Sequence, residues 1–283
     1  MSSTRNIRRD FLIKAGLLVA VFCLALLQPA CKKEELDLKE YPEQSVRIKE
    51  LNLRTASLIE ARQFWENGLG FQVIDSSPSS ITFQVGDSRL TFRNQTTINP
   101  PVYHFAIAIP SNQVENALDW LKNQDGKYPD GPPQPVPILK DESSGAEIIY
   151  NAAYQTRSVF FRDPNGQVIE LIGREVAENA VEGDFNRSMM KGITNFSLIT
   201  KDVRKCEEIL RTEFGYKAFP NTTSGYKPVG GADGTLTLII PGRPYIPTES
   251  LESVPYTAIV TVQHPQQKEI VMPGSEVVIR TEP

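Results

Sequence analysis

The sequence predicts an α+β fold assembled from a repeated β-α-β-β-β unit, and three observations carry that expectation. "IKELNLRTASLIEARQFWENGLGF" (48–71) and "ITNFSLITKDVRKCEEILRTEFGY" (193–216) pass through the same series at the same offsets: alternating apolar residues, a helical pattern, then Gly and an aromatic ring. "VYHFAIAIPSNQVENALDWLKNQ" (102–124) repeats the first two parts. Each helical pattern is followed by short strand-like runs separated by Gly, Pro, Asn and Asp, residues that favour turns.

Taking Glu50, His104 and Asn195 as equivalent, the residue seven places on is Ser57, Ser111 or Asp202. Each has a side-chain oxygen able to accept from the free amides of a first helical turn. Fourteen places on stand Phe64, Leu118 and Ile209, expected on the buried face of each helix. Twenty places on, Gly70 and Gly215 suit helix C-termini that need a left-handed residue, whereas the middle copy has Gln124. The first helix is expected to lead into strands at "FQVID", "SITFQVG" and "RLTFRNQ". The second leads into "AEIIY", "RSVFFRD" and "VIELIG", with Asp163-Pro164-Asn165-Gly166 as a hairpin turn. The third leads into "YKAF", "GYKPVGG" and "TLTLIIPG". A fourth start, "VPYTAIVTVQHP" (254–265), has the first strand and no helix, with "SEVVIRT" as the one closing strand expected after it.

The leader reads differently. Arg5, Arg8, Arg9 and Lys14 precede an apolar run of 13 residues from Ala15 to Leu27. A spanning helix needs about 20, so residues 1–30 are expected to be an export signal, and "RRDFLIK" resembles a twin-arginine motif. "LQPAC" places Cys31 as a lipidation site, and the polar stretch 31–45 as a tether. The expected product is an exported lipoprotein held to the bacterial cell envelope by its lipid, with "KEE" (33–35) resembling a surface-export tag. Removing 1–30 leaves 26 basic against 33 acidic residues, a net charge of −7. A chain this acidic has no field to attract nucleic acid. Cys206 is then the single free thiol, so stability rests on a packed core. Oligomeric state has no signature in the sequence.

"GLGF" after the first helix and "DPNGQVIEL" near residue 170, set in β-α-β-β-β units, resemble the vicinal oxygen chelate superfamily. That superfamily includes glyoxalase I, extradiol dioxygenases and bleomycin-resistance proteins. The resemblance implies a complete two-module domain over 46–175, a linker over 176–190 and an incomplete second domain over 191–283. It also implies a cleft between paired modules, with metal ligands from first and last strands. Carried onto this chain, those ligands are Glu50, His104 and Glu170, with Thr91 at the fourth position. Two carboxylates and one imidazole suit Mn²⁺, Fe²⁺, Ni²⁺ or Zn²⁺. Such a metal would polarise the oxygens of a small substrate, with Glu170 as the catalytic carboxylate, in a glyoxalase-like lyase or isomerase. The alternative is a non-catalytic binding protein of the same fold. A ring-cleaving dioxygenase is disfavoured, because its second histidine would have to be His264, in the degenerate half.

Strand parity adds detail. Glu50, Asn52 and Arg54 share one face of their strand, and His104, Ala106 and Ala108 share one face of theirs, where alanine is expected to leave room. Glu170 stands in an apolar strand, and burying an unpaired carboxylate costs several kcal/mol, so it needs a cation, a proton or Arg54. Arg89, Thr91 and Arg93 alternate on one strand face and are either contacts for an anionic substrate or a solvated sheet face; Arg54 is a further candidate substrate contact, and Phe161 a candidate pocket wall. The Pro/Gly-rich stretch 123–137 is either a lid or a plain connection. Cys206, with no base nearby in sequence, is read as packing.

Overall fold

Alternating sequences become strands here because each strand has one face on a core and one turned away. The computed structural model describes residues 42–95, 100–124, 135–175, 178–220 and 222–283. The expected signal (1–30), Cys31, most of the tether and the centre of the 123–137 loop lie outside the described residues.

The first unit comprises β1 (Ile48–Thr55), α1 (Leu58–Arg62, running on as a π-helical turn Gln63–Gly68), β2 (Gln72–Ser77), β3 (Ser80–Val85) and β4 (Ser88–Asn94). The second has β5 (His104–Ile109), α2 (Val114–Lys122), β6 (Ile138–Leu139), β7 (Ile148–Asn151), β8 (Thr156–Arg162) and β9 (Val168–Arg174). The third has β10 (Gly192–Ile199), α3 (Val203–Phe214), β11 (Tyr226–Gly231) and β12 (Gly234–Ile239). The fourth has β13 (Ala258–Gln263), β14 (Glu269–Val271) and β15 (Val277–Glu282). The short β14 was not expected; it closes a hairpin onto β15. "YKAF" gives only an isolated bridge, Ala218 to Val229.

Two of the three expected caps form. Ser57 accepts from the Glu60 amide, and Asp202 from that of Lys205. Ser111 does not cap, because α2 begins two residues later behind Gln113, and its amide instead donates to Asn179 Oδ1. Gly215 ends α3 at φ +76°, a left-handed position where a Cβ would be strained. On α3 the buried stripe is Val203, Cys206, Leu210 and Phe214, so Ile209 flanks the core rather than anchoring it. Cys206 is fully buried against Thr200 and the Pro273 carbonyl, and burial raises its thiol pKa, as packing requires.

The strands form two sheets, ordered β14-β15-β13-β1-β4-β3-β2 and β11-β12-β10-β5-β9-β8-β6, with β7 also on β8. First strands pair antiparallel: β1 with β13, and β5 with β10. The first unit is therefore joined edge to edge with the fourth, and the second with the third. This corrects the expected division into 46–175 and 191–283, since neither range holds a complete sheet; Leu36–Pro283 is one compact unit. The reason lies in the repeats. All four first strands have the same alternation, so local pattern leaves their pairing degenerate, and burial elsewhere must choose.

That burial is centred on Trp65. Its ring lies 6.3 Å and 6.1 Å from Phe83 and Phe92 of the first sheet, and 6.1 Å from Phe105 of the second. Phe64 beside it meets Phe161 of β8 at 6.2 Å. The first helix thus sits between the two sheets, and one continuous core spans both. The β8–β9 turn adds a polar clamp. Asn165 exchanges hydrogen bonds with the Ser57 backbone, the Gln167 side chain bonds Tyr103 N–H and the Pro101 carbonyl, and Asp163 accepts from Trp65 Nε1. The described part of the 176–190 stretch is docked rather than loose: Asn112 and Gln113 bond the Val181 carbonyl, and Phe185 packs on Trp120.

Candidate functional site

Each sheet has one face on the shared core and one face turned away from it. On the second sheet, that outward face collects His104, Glu170, Ser158, Phe160, Asn195, Ser197, Thr235 and Thr237, all lining one cavity of about 270 Å³. The register explains the grouping. Across the strands run two rows, Thr235–Asn195–Ala106–Glu170–Phe160 and Thr237–Ser197–His104, because directly paired residues project to the same side. Ala106 itself is fully buried beneath its neighbours, and Ala108 lines a separate cavity at the sheet's end, so the alanines do not open the floor.

His104 and Glu170 are the chemical centre of this floor. The imidazole Nδ1 lies 2.8 Å from Ser197 Oγ, and Nε2 lies 3.2 Å from Glu170 Oε2. That second approach is ionic in distance but lacks hydrogen-bond geometry, and Nε2 has no hydrogen-bond partner among the described residues. Ser158 Oγ donates to the other carboxylate oxygen at 2.6 Å, fixing Glu170. Both residues are buried, at 9% and 8% exposure. Phe160 stacks on the imidazole at 5.9 Å, with Tyr245 on it at 6.0 Å. Tyr154, Phe219 and Tyr226 complete an aromatic wall. Burial raises the Tyr226 phenol pKa, and the nearby Tyr154 phenol and Glu170 carboxylate raise it further, so its proton stays on the hydroxyl. Tyr245 is held protonated by burial in the same way.

The predicted residues divide between the two sheets. Glu50 stands on the outward face of the first sheet, where Thr91 donates to it at 2.8 Å and Arg89 at 3.2 Å; Arg89 also bonds Glu282 at 2.9 Å. Those partners hold Arg89 above its ordinary pKa in spite of desolvation. Arg93 donates to Asn52 on the same face, and the Arg54 backbone amide meets the Tyr103 hydroxyl. Glu50, Arg54, Thr91 and Arg93 therefore do not join His104 and Glu170, because β1 and β4 belong to the other sheet. Glu170 finds Ser158 and His104, not Arg54. Phe161 points into the core, and its neighbour Phe160 lines the cavity. His264 packs on Phe214, away from this cavity.

These placements decide the fit of a divalent cation. One imidazole and one carboxylate remain where three or four protein donors make a stable site. Asn195, at the position equivalent to His104, has its Oδ1 engaged by two threonines. Among the described residues no group of three His, Cys, Asp or Glu side chains is placed to hold a metal. The donor set does not fit, and the expected Glu50–His104–Glu170 centre is corrected to a His104–Glu170 pair. Sequence reasoning missed Ser197, Thr235, Thr237 and Tyr226 because they line a site only once β10 lies beside β5, and missed Ser158 on β8 because a lone serine in a strand carries no signal of its own.

Comparison with known proteins agrees with this architecture. The sequence matches the family described as Glyoxalase/Bleomycin resistance protein/Dioxygenase superfamily over residues 47–171. A putative dioxygenase from Bacillus subtilis subsp. subtilis str. 168 superposes with a TM-score of 0.54 at 15% identity, over 86% of this chain and 87% of that one. Glyoxalase I from Zea mays gives a TM-score of 0.47 at 13% identity, over 84% and 93%. No curated protein matches the chain. Residues 47–171, within repeated β-α-β-β-β units in two sheets, therefore carry a domain that matches the Glyoxalase/Bleomycin resistance protein/Dioxygenase superfamily.

Proposed function

We propose that the protein binds a small oxygenated molecule in the cavity of the second sheet. The observation that supports this most is the buried His104–Glu170 pair, whose facing polar atoms approach to 3.2 Å without a hydrogen bond, at the floor of an aromatic-lined cavity. Polar groups left this way cost free energy unless a ligand completes them. Pockets for small molecules have this composition, an apolar wall with a few convergent polar groups. The family's fold fixes no reaction, and the two-donor set favours binding over a metal-dependent lyase. Proton transfer is the second reading. It is favoured by Glu170, a carboxylate held by Ser158 and able to take a proton from a bound carbon acid or hydroxyl.

The test is a thermal-shift screen of small hydroxylated and carbonyl compounds, with and without chelator, on wild type and Glu170→Gln. Stabilisation that survives chelator and is lost in Glu170→Gln is expected. Stabilisation that requires added metal would overturn the metal-free form. Deuterium exchange at the carbon acid of any bound compound, seen by NMR, separates turnover from sequestration.

We also propose that the mature chain begins at Cys31 and is anchored to the bacterial envelope by lipid, since acyl chains give durable anchoring. Radiolabelled palmitate should enter wild type and not Cys31→Ser. A mutant that stays membrane-bound, with no label in the wild type, refutes it.

A further inference from the structure

Two register shifts between first strands put side chains where simple alternation would not. Ile48 pairs with Val262 and Glu50 with Thr261, so Lys49 is an extra residue bulged out of β1. By parity it would join Leu51 and Leu53 in the core; the bulge re-aims it, and it is half-buried. Ile193 pairs with Ile107 and Asn195 with Ala106, so Thr194 is the extra residue of β10. Lys49 and Thr194 both line a cavity of about 610 Å³ walled by both sheets, which shares only Ile172 and Arg174 with the His104–Glu170 cavity.

Close backbone contact builds this second cavity. The Asp87 amide donates to the Lys191 carbonyl at 2.9 Å. Ser88 Oγ donates to the Ile48 carbonyl at 2.6 Å and accepts from the Ile193 amide at 2.9 Å, tying the strand that bears Lys49 to the one that follows Lys191. Gly86 allows the closure, since a Cβ there would collide with the Lys191 carbonyl carbon.

The charge of the cavity is opposite to that of the chain. Arg47, Lys49, Arg174 and Lys191 line it against Asp87 and Asp233, whereas residues 31–283 carry a net charge of −7. Arg47, Lys49 and Lys191 enter no ion pair among the described residues, those two aspartates included. The chain also joins the fold here. The Val46 amide donates to the Gly234 carbonyl at 2.9 Å and the Asp233 amide to Ser45 Oγ at 3.0 Å, and Val46 and Asp233 belong to the lining. Gly234 has no room for a side chain, because a Cβ would meet the Val46 carbonyl oxygen. Pro42 is eleven residues from Cys31, a span of at most about 40 Å when fully extended.

We propose that this cavity docks anionic phospholipid headgroups, with Arg47, Lys49 and Lys191 facing their phosphates. This rests on the lipid anchor proposed above, which keeps Pro42 within reach of a membrane. A base near an anionic surface gains roughly fivefold in affinity. The gain fades within a Debye length, about 10 Å, so the acidic remainder of the chain is repelled little once this end faces the surface. Tethering raises the effective concentration to roughly the millimolar range, where contacts this weak are occupied.

A test that supplies the anchor chemically can fail separately from lipidation in the cell. The chain from Cys31 is coupled through Cys31 to a maleimide lipid, Cys206 being fully buried, in vesicles of phosphatidylcholine with or without phosphatidylglycerol. Acetylation of each lysine by acetic anhydride is followed by mass spectrometry. Lys49 and Lys191 are expected to react about fivefold more slowly on phosphatidylglycerol vesicles, and added salt should abolish the protection. Lys201 and Lys205, exposed beyond the far end of β10, should react alike on both. Arg47→Gln, at an exposed residue, should reduce the protection of Lys49 and Lys191 to about twofold at unchanged melting temperature. Protection of all four lysines alike, or of none, overturns the headgroup site whatever palmitate labelling shows. Full protection in Arg47→Gln also overturns it, because charge would not be the cause. Equal protection by soluble glycerol 3-phosphate on neutral vesicles would make a free phosphate the ligand and overturn the membrane.

Discussion

The two sheets start from the same strand motif and end with opposite chemistry. In the first, the Glu50 carboxylate is answered on the spot by Thr91 and Arg89, and Arg89 is answered again by Glu282. In the second, the equivalent histidine faces a carboxylate without bonding it, under aromatic rings, beside an amide whose nitrogen is unpartnered among the described residues. Both pairs of first strands even carry a register shift at the equivalent place, between Ile48 and Glu50 and between Ile193 and Asn195. The backbone therefore does not distinguish them. What differs is whether polar side chains on the outward face satisfy one another. A satisfied face is a surface; the unsatisfied, enclosed one is the face proposed above to bind a ligand.

The largest effect expected tests whether the sheets are energetically one body. Trp65→Ala removes the ring that touches both, and should cost about 3–5 kcal/mol. Urea unfolding should still show one transition, displaced downward; two separated transitions would mean that each sheet folds by itself.

Next comes the clamp between them. Burial pushes the Asp163 carboxyl up to about 7, against the opposing pull of the Gln167 amide and the Trp65 indole. A folded pKa above the unfolded value means that the native state holds the proton longer, so stability falls as pH rises from the unfolded pKa towards about 7. About 2 kcal/mol should be lost between pH 5 and pH 7. Asp163→Asn should lack that slope, and equal slopes in the two proteins would remove Asp163 as its source.

Matched substitutions then compare the two outward faces. Glu170→Gln should weaken ligand binding at least tenfold, about 1.4 kcal/mol. Glu50→Gln, at a partly exposed ion pair, should change stability by less than about 1 kcal/mol and leave binding untouched. An effect of Glu50→Gln on affinity would restore it to the site. The smallest effect concerns metal: chelator should leave the melting temperature unchanged, and a drop of several degrees, reversed by one divalent cation, would show a centre that two side chains do not predict.

Much of the fold was legible in the sequence, because it is written in local terms. Alternation at β1, β5 and β10, the caps Ser57 and Asp202, and the left-handed Gly215 each follow from a few neighbouring residues. Residues 103–109 likewise announced His104 and its face, and "VIELI" announced a carboxylate out of place. The start of α2 was missed by two residues, since Ser111 and Gln113 are both polar and only the docking of Asn112 and Gln113 on Val181 and Gly183 favours the later start.

The partners of those strands were not legible. Four first strands with one alternation can pair in several ways that bury equal apolar area locally, and the sequence by itself determined the units without their assembly. Tertiary structure decided it through Trp65 and Phe64, which hold the first helix between sheets and so leave β5 to pair with β10. That one choice moved Glu50, Arg54, Thr91 and Arg93 away from His104 and brought Asn195, Ser197, Thr235 and Thr237 to it. Side-chain chemistry is a property of the chain, but which side chains share a cavity depends on contacts between residues far apart in sequence.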